Sequence, residues 1–154
     1  MIKKRVADSF TEQVQVLNMA NMNGSNRLFG GQLMAWIDVV AAVVARRHSG
    51  RNVTTASVSE LTFKEPAFAN DTLVLCGHIT YAGRTSMEIC VESFVEDLSG
   101  EKSLINRAFL TMVAIDGEGV PCEVPGLVIE TENEQREYEA ARKRREMRKK
   151  AANS

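Results

Sequence analysis

Between residues 30 and 45 the chain reads GGQLMAWIDVVAAVVA, and its large apolar residues (Leu33, Met34, Trp36, Ile37, Val39, Val40, Val43, Val44) fall on every side of a 3.6-residue period. This pattern predicts a helix that is apolar, and therefore buried, all round. Gly30 and Gly31 free the backbone at its N-terminus, Arg46, Arg47 and His48 sit in its last turn, and Ser49-Gly50 supplies the stop. Upstream, residues 12–18 alternate around Val14, Val16 and Asn18, which predicts a short strand leading into a polar loop over 21–27. From Asn52 the period falls to two, and 53–63, 72–81, 86–95 and 103–115 read as strands rich in Val, Ile, Thr and Phe. Turn residues separate them: Glu65-Pro66 and Ala69-Asn70-Asp71, then Ala82-Gly83-Arg84, Leu98-Ser99-Gly100 and Asp116-Gly117-Glu118-Gly119.

The order β-α-β-β-β-β predicts an α+β domain in which a curved antiparallel sheet of five to six strands wraps one long buried helix. A single sheet covers one side of a helix, and the chain offers no second core helix. A partner subunit is expected to cover the rest, most simply in an isologous dimer.

Residues 1–128 are expected to form this domain and 129–154 a charged helical tail. The tail begins acidic, from Glu130 to Glu139, and ends basic, from Arg142 to Lys150, the order that suits a helix dipole. Acid-before-base pairs at i,i+4, such as Glu132 with Arg136 and Glu139 with Lys143, support an exposed helix without giving it a core face. A solvated helix and one whose basic end reaches a phosphate-bearing ligand both fit.

With 154 residues there is room for one core, and the net charge of -1 gives no general basis for nucleic-acid binding. Cys76, Cys90 and Cys122 are odd in number and form no CxxC pair, so neither a disulfide framework nor a zinc ribbon is expected. His48 and His78 are too far apart in the chain to form a metal site with those cysteines, and no metal is expected. The basic start MIKKRVADSF has no apolar signal segment, and the apolar helix is too short and too interrupted to span a bilayer. A cytoplasmic protein, without membrane or nucleic-acid partners, is the expectation.

Asp38 is the one ionisable side chain in the 30–45 segment. An unpaired carboxylate in such surroundings costs several kcal/mol, roughly, so it has a structural partner or serves chemistry.

The run Asn23-Gly24-Ser25-Asn26-Arg27-Leu28-Phe29-Gly30-Gly31, followed by Leu33-Met34, Asp38, Ser59-Glu60-Leu61-Thr62-Phe63 and Gly83-Arg84-Thr85-Ser86, resembles the hotdog-fold acyl-CoA thioesterases of the YciA and brain-type acyl-CoA hydrolase group. The resemblance runs from about residue 10 to residue 125, and the tail around Tyr138 to Arg145 is similar to family C-termini as well. It implies hydrolysis of acyl-CoA to a free acid and coenzyme A, by a dimer or a trimer of dimers, with no cofactor beyond the coenzyme A of substrate and product. By the same resemblance Asp38 stands where the family has its catalytic acid and Asn23 where it has its catalytic asparagine. The Gly31 amide takes the place of the donor that polarises the thioester, and Thr55 that of a threonine lining the site. Gly83, Arg84, Thr85 and Ser86 match the loop along the coenzyme A groove, and Arg145 is the candidate in the basic tail for its phosphates.

Read as residues alone, a carboxylate and a helix N-terminus are sufficient parts for thioester hydrolysis: one activates water, the other stabilises an oxyanion. Asn23 also reads as a turn residue, Thr55 as an ordinary strand residue and Arg84 as a solvated hairpin tip. Asp38 could be general base or nucleophile. Seven residues of helix separate it from Gly31, roughly 10 Å at 1.5 Å per residue, so the two are too far apart to share a carbonyl. The prediction is a site shared between subunits. A hotdog protein that binds acyl-CoA or a nucleotide without turning it over, and an interaction module with a nucleic-acid-binding tail, are the competing readings.

Overall fold

A computed structural model describes residues 1–153. The main sheet has five strands, β2 (Thr11–Val16), β3 (Asn52–Phe63), β4 (Thr72–Ala82), β5 (Ser86–Glu96) and β6 (Lys102–Ile115), in the order β2-β4-β5-β6-β3 and antiparallel throughout. The helix α1 (Gly30–Ser49) lies on one face of this sheet and α2 (Glu132–Ala152) against β4 on the other. Two short strands outside the sequence expectation, β1 (Lys4–Arg5) and β7 (Leu127–Val128), pair in parallel.

Strand alternation sorts the side chains. Leu73, Leu75 and Ile79 of β4, Met87, Ile89 and Val91 of β5 and Ala108, Leu110 and Met112 of β6 face α1 and form one buried cluster with it. The approach is closest at Gly77, where a Cβ would lie 2.7 Å from Val40 Cγ1 and 3.0 Å from Val44 Cγ2. Glycine is what lets the helix settle onto β4 there.

Helix α1 stops where expected: Gly50 adopts the left-handed conformation at φ 68° and donates its N–H to the Arg46 carbonyl at 2.8 Å. The all-round burial is corrected. Leu33, Ile37, Val40, Ala41, Val44, Ala45 and His48 are buried, but Met34, Trp36 and Asp38 are half-buried and Val39 is 54% exposed. One chain covers one face of α1, so the apolar residues on the other face remain for another surface to cover.

The tail is a helix, as expected, but not one solvated on every side. Ala141 is buried, the rings of Tyr138 and Tyr81 lie 4.9 Å apart, and Arg144 stacks its guanidinium 3.8 Å from the Phe109 ring centroid. Arg144 also reaches Glu88, a buried carboxylate on β5, through Nε at 3.0 Å and Nη2 at 2.7 Å. The face that docks α2 is thus built from aromatic and charged side chains together with the small Ala140 and Ala141, which is why a hydrophobic pattern misses it.

Candidate active site

Asp38 projects from the flank of α1 towards β3, the edge strand, and accepts a hydrogen bond from Thr55 Oγ1 at 2.6 Å. Thr55 is fixed by its pairing opposite Met112 on β6, just before a bulge between Thr55 and Ser57. A bulge locally re-aims side chains. The sequence gives Thr55 no signal of its own, because its partner lies 17 residues away in the chain.

Asn23 sits in the loop that precedes the helix. Its Oδ1 accepts the N–H groups of Ser25 at 2.8 Å and Arg27 at 3.1 Å, which closes the loop and leaves Nδ2 as the donor end. The turn reading of Asn23 is therefore realised by its backbone and its Oδ1. The loop is anchored by Leu28 N–H on the Ala67 carbonyl and Phe29 N–H on the Asn21 carbonyl, and it delivers Gly30 and Gly31 to the helix start. The first-turn amides of a helix have no intrahelical acceptor and carry the positive end of its dipole. A pocket of about 400 Å³ opens beside them, lined by Asn23 and Gly30, by the charged Arg27, Lys64 and Glu65, and by the apolar Leu28, Leu33, Phe63 and Ile105. A Cβ on Gly31 would come within 2.6 Å of the Phe29 ring.

Asp38 and Thr55 do not line this pocket. Within one chain the structure joins Asp38 to Thr55 and Asn23 to the helix N-terminus, but it does not join the two pairs.

The Gly83–Ser86 hairpin forms a third group. Gly83 N–H bonds the Ser86 carbonyl at 2.8 Å, the Thr85 carbonyl accepts from Ala114 and the Arg84 carbonyl from Val124. Arg145 lies over it: its Cζ would be 3.6 Å from a Cβ on Gly83, and its Nη1 donates to the Tyr81 hydroxyl at 3.2 Å. The tail therefore brings a guanidinium to the hairpin, a chemistry suited to phosphate.

Sequence reasoning missed one further cluster, on the sheet face under α2. His78 and Cys90 are direct cross-strand partners, and Glu92 and the Glu137 of α2 adjoin them. His78 bonded to Glu137 holds that carboxyl below the usual carboxylate range, with partial burial opposing it. The signal lay in the strand register, not in any spacing along the chain.

Residues 25–100 match the thioesterase superfamily. The chain is 42% identical over 113 residues to the Bacillus subtilis protein YkhA, named an uncharacterized acyl-CoA thioester hydrolase; the match covers 73% of this chain and 66% of that protein, just under two thirds of its length. A crystal structure of an apo-hexameric acyl-CoA thioesterase superimposes with a TM-score of 0.93 at 40% identity, over 99% of this chain and 98% of the other. The Staphylococcus aureus acyl-CoA hydrolase in complex with butyryl coenzyme A, coenzyme A and coenzyme A disulfide gives a TM-score of 0.91 at 34% identity, covering 97% and 92%. The chain belongs to the hotdog-fold acyl-CoA thioesterases of the thioesterase superfamily.

Proposed function

We propose that this protein hydrolyses acyl-CoA to a free carboxylic acid and coenzyme A, at sites that each draw on two subunits. The observation that carries the proposal is the division of labour along α1. Asp38, held by Thr55, and Gly31, next to the Asn23 loop, lie on one helix, too far apart to meet on one thioester. A second copy of α1 running against the exposed Val39 side of the helix brings the Asp38 of one subunit to the Gly31 and Asn23 of the other.

In that site Asp38 takes a proton from water, whose oxygen attacks the thioester carbonyl. The carbonyl oxygen gathers negative charge under the Gly31 amide and the helix N-terminus, with Asn23 Nδ2 positioning the water or the carbonyl. Collapse of the tetrahedral intermediate breaks the carbon–sulfur bond, and the departing sulfur receives the proton from Asp38. Thr55 holds the carboxylate in place through the 2.6 Å bond. The hairpin Gly83, Arg84, Thr85 and Ser86 and the Arg145 guanidinium bind the phosphates of coenzyme A. Coenzyme A enters as part of the substrate and leaves as product, and no further cofactor or catalytic metal takes part.

The S. aureus hydrolase supports the residue choice. Its structure was also solved with single alanine replacements of an Asn, an Asp and a Thr that are 15 and 17 residues apart, the same separations as Asn23, Asp38 and Thr55 here. The hexameric thioesterases among its structural neighbours favour a trimer of dimers, with the dimer as catalytic unit. Among the described residues no helix is long and apolar enough to cross a membrane. We place the reaction in the cytoplasm, on a substrate free in solution, with residues 1–128 as the catalytic domain and 129–154 as the tail, whose helix α2 lies over the outer face of the sheet.

Thiol release from short, medium and long acyl-CoA substrates tests the activity, with Asp38→Ala as control; an inactive wild-type protein that still binds coenzyme A would make it a sensor. Mixing Asp38→Ala with Asn23→Ala subunits tests the shared site. Random pairing leaves about a quarter of the wild-type sites intact if each site spans two subunits. If each site lay within one subunit, the mixture would stay as inactive as its parts.

A further inference from the structure

The polar cluster on the outer face of the sheet lies apart from Asp38, Thr55 and the start of α1, which are on the opposite side. One nitrogen of His78, the Cys90 sulfur and a Glu92 oxygen all lie within 4.8 Å of one another. They open on a cleft of about 260 Å³ between the sheet and α2, and Glu137 reaches into it from the helix with Oε2 on His78 Nε2 at 2.5 Å. Cys90 is 3% exposed and lines this cleft. Among the described residues its thiol has neither a disulfide nor a hydrogen-bond partner, whereas Cys76 donates to Glu12 and Cys122 to the Val120 carbonyl.

We propose that His78, Cys90 and Glu92 bind a divalent metal ion of the zinc class, with Glu137 orienting the histidine from α2, so that the ion fastens the C-terminal helix to the sheet. The donor set of thiolate, imidazole and carboxylate suits zinc or cobalt and is too soft for magnesium or calcium. With Nε2 engaged by Glu137, His78 presents Nδ1 to the ion, the carboxylate–histidine–metal arrangement that fixes ring and tautomer in zinc sites. Arg107 places both Nε, at 3.1 Å, and Nη2, at 2.7 Å, on Glu92 Oε2, so Oε1 is left to coordinate. Arg144, the other cation lining the cleft, is engaged by Glu88. Thiolate, Glu92 and Glu137 set against Arg107 leave two negative charges, which a divalent cation balances; the thiol proton leaves to solvent as the ion binds. Bonds of about 2.0–2.3 Å put tetrahedral ligands some 3.3–3.7 Å apart, so the cluster closes by about 1 Å, within reach of side-chain rotation. Water fills the fourth position.

The test is a cobalt(II) titration of the full chain, stripped with chelator and free of any affinity tag. We expect a thiolate-to-cobalt charge-transfer band saturating at one ion per chain and displaced by zinc, and zinc should raise the thermal midpoint by several degrees. Cys90→Ser should abolish the band and the thermal shift, while Cys76→Ser keeps both. His78→Gln, which leaves the sulfur in place, should weaken cobalt binding about tenfold or more. No band in the wild type, or a band that survives in Cys90→Ser or disappears in Cys76→Ser, overturns the proposal. Should Cys90→Ser fail to fold, His78→Gln with unchanged cobalt affinity overturns it equally. Thioester hydrolysis by the stripped protein is a separate measurement, so failure of either proposal leaves the other standing.

Discussion

Thr55 donates its hydroxyl to Asp38 at 2.6 Å, tying the edge strand β3 to the flank of α1. A hydroxyl bonded to one carboxylate oxygen leaves the other free and fixes its direction, which is what a base that must meet water at a set angle requires. Asp38→Ala is expected to lower kcat by about 10²–10⁴ with the fold intact, since the residue is half-buried and its loss opens no core cavity. Thr55→Ala removes one hydrogen bond to a charged group, about 1.5–3 kcal/mol, and so costs about 10- to 160-fold. Thr55→Ser, which keeps the hydroxyl, should retain most of the activity. Steady-state kinetics of the three variants, beside circular dichroism and oligomer size, check this ordering.

Gly77 makes a prediction about the core. A Cβ there would press on Val40 and Val44 at 2.7 and 3.0 Å, and both valines are buried beneath the helix with no room to turn away. Gly77→Ala should therefore destabilise by about 1–3 kcal/mol, and Val40→Ala in the same chain should recover much of the loss by vacating the space. Urea midpoints at unchanged m-value read the effect. A Gly77→Ala protein as stable as wild type would mean that α1 rides higher over β4 than described.

The helix and strands were legible because each carries its own period and its own stop: α1 ends at Gly50 in the left-handed conformation, and β4 and β5 turn at Gly83. What the pattern overstated is burial. Val39 and Trp36 are apolar by sequence, but periodicity reports what a residue can bury and not how much of it one chain covers. The β1–β7 pair was illegible because Lys4 and Arg5 carry no strand pattern and gain their partners only when Leu127 and Val128 arrive from the far end of the chain. In the candidate site, Asp38 was visible as a charge in an apolar run, while its neighbour Thr55 and, elsewhere, the His78–Cys90 pair come together only through strand register.

Arg144 and Glu88 carry the docking of the tail. Glu88 is 3% exposed and accepts from Thr80 Oγ1 at 2.7 Å as well as from Arg144 Nε and Nη2. Arg144→Met leaves that carboxylate buried without its cation, a loss of about 3–5 kcal/mol that the chain can escape by releasing α2. Arg144→Lys should fare little better, because an ammonium gives up the two-pronged contact and the stacking on Phe109. Adding Glu88→Gln to Arg144→Met should restore part of the stability. Limited proteolysis near residue 131, faster in the single variants and slowed again in the double, is the expected signature.

His48 sets the pH response. It is fully buried in the last turn of α1, with Nε2–H donating to the Pro125 carbonyl at 2.7 Å and Nδ1 without a hydrogen-bond partner among the described residues. Burial holds its pKa below the ordinary histidine value, with nearby Lys4 acting in the same direction and the Pro125 bond against it. The unfolded chain accepts a proton at His48 once the pH drops below about 6.5, while the folded chain still refuses it. Between those two pKa values the unfolded state binds more protons, so stability rises with pH. The contribution of His48 is complete above about pH 6.5 and is lost as pH falls towards the folded value, at no more than about 1.4 kcal/mol per pH unit. Urea midpoints measured between about pH 5 and pH 8 should decline on the acid side in the wild type. The decline should flatten in His48→Gln, whose amide can keep the bond to Pro125 without titrating; His78 is common to both proteins, so the difference between the two curves isolates the buried ring. An equal decline in both would assign the acid sensitivity to other groups.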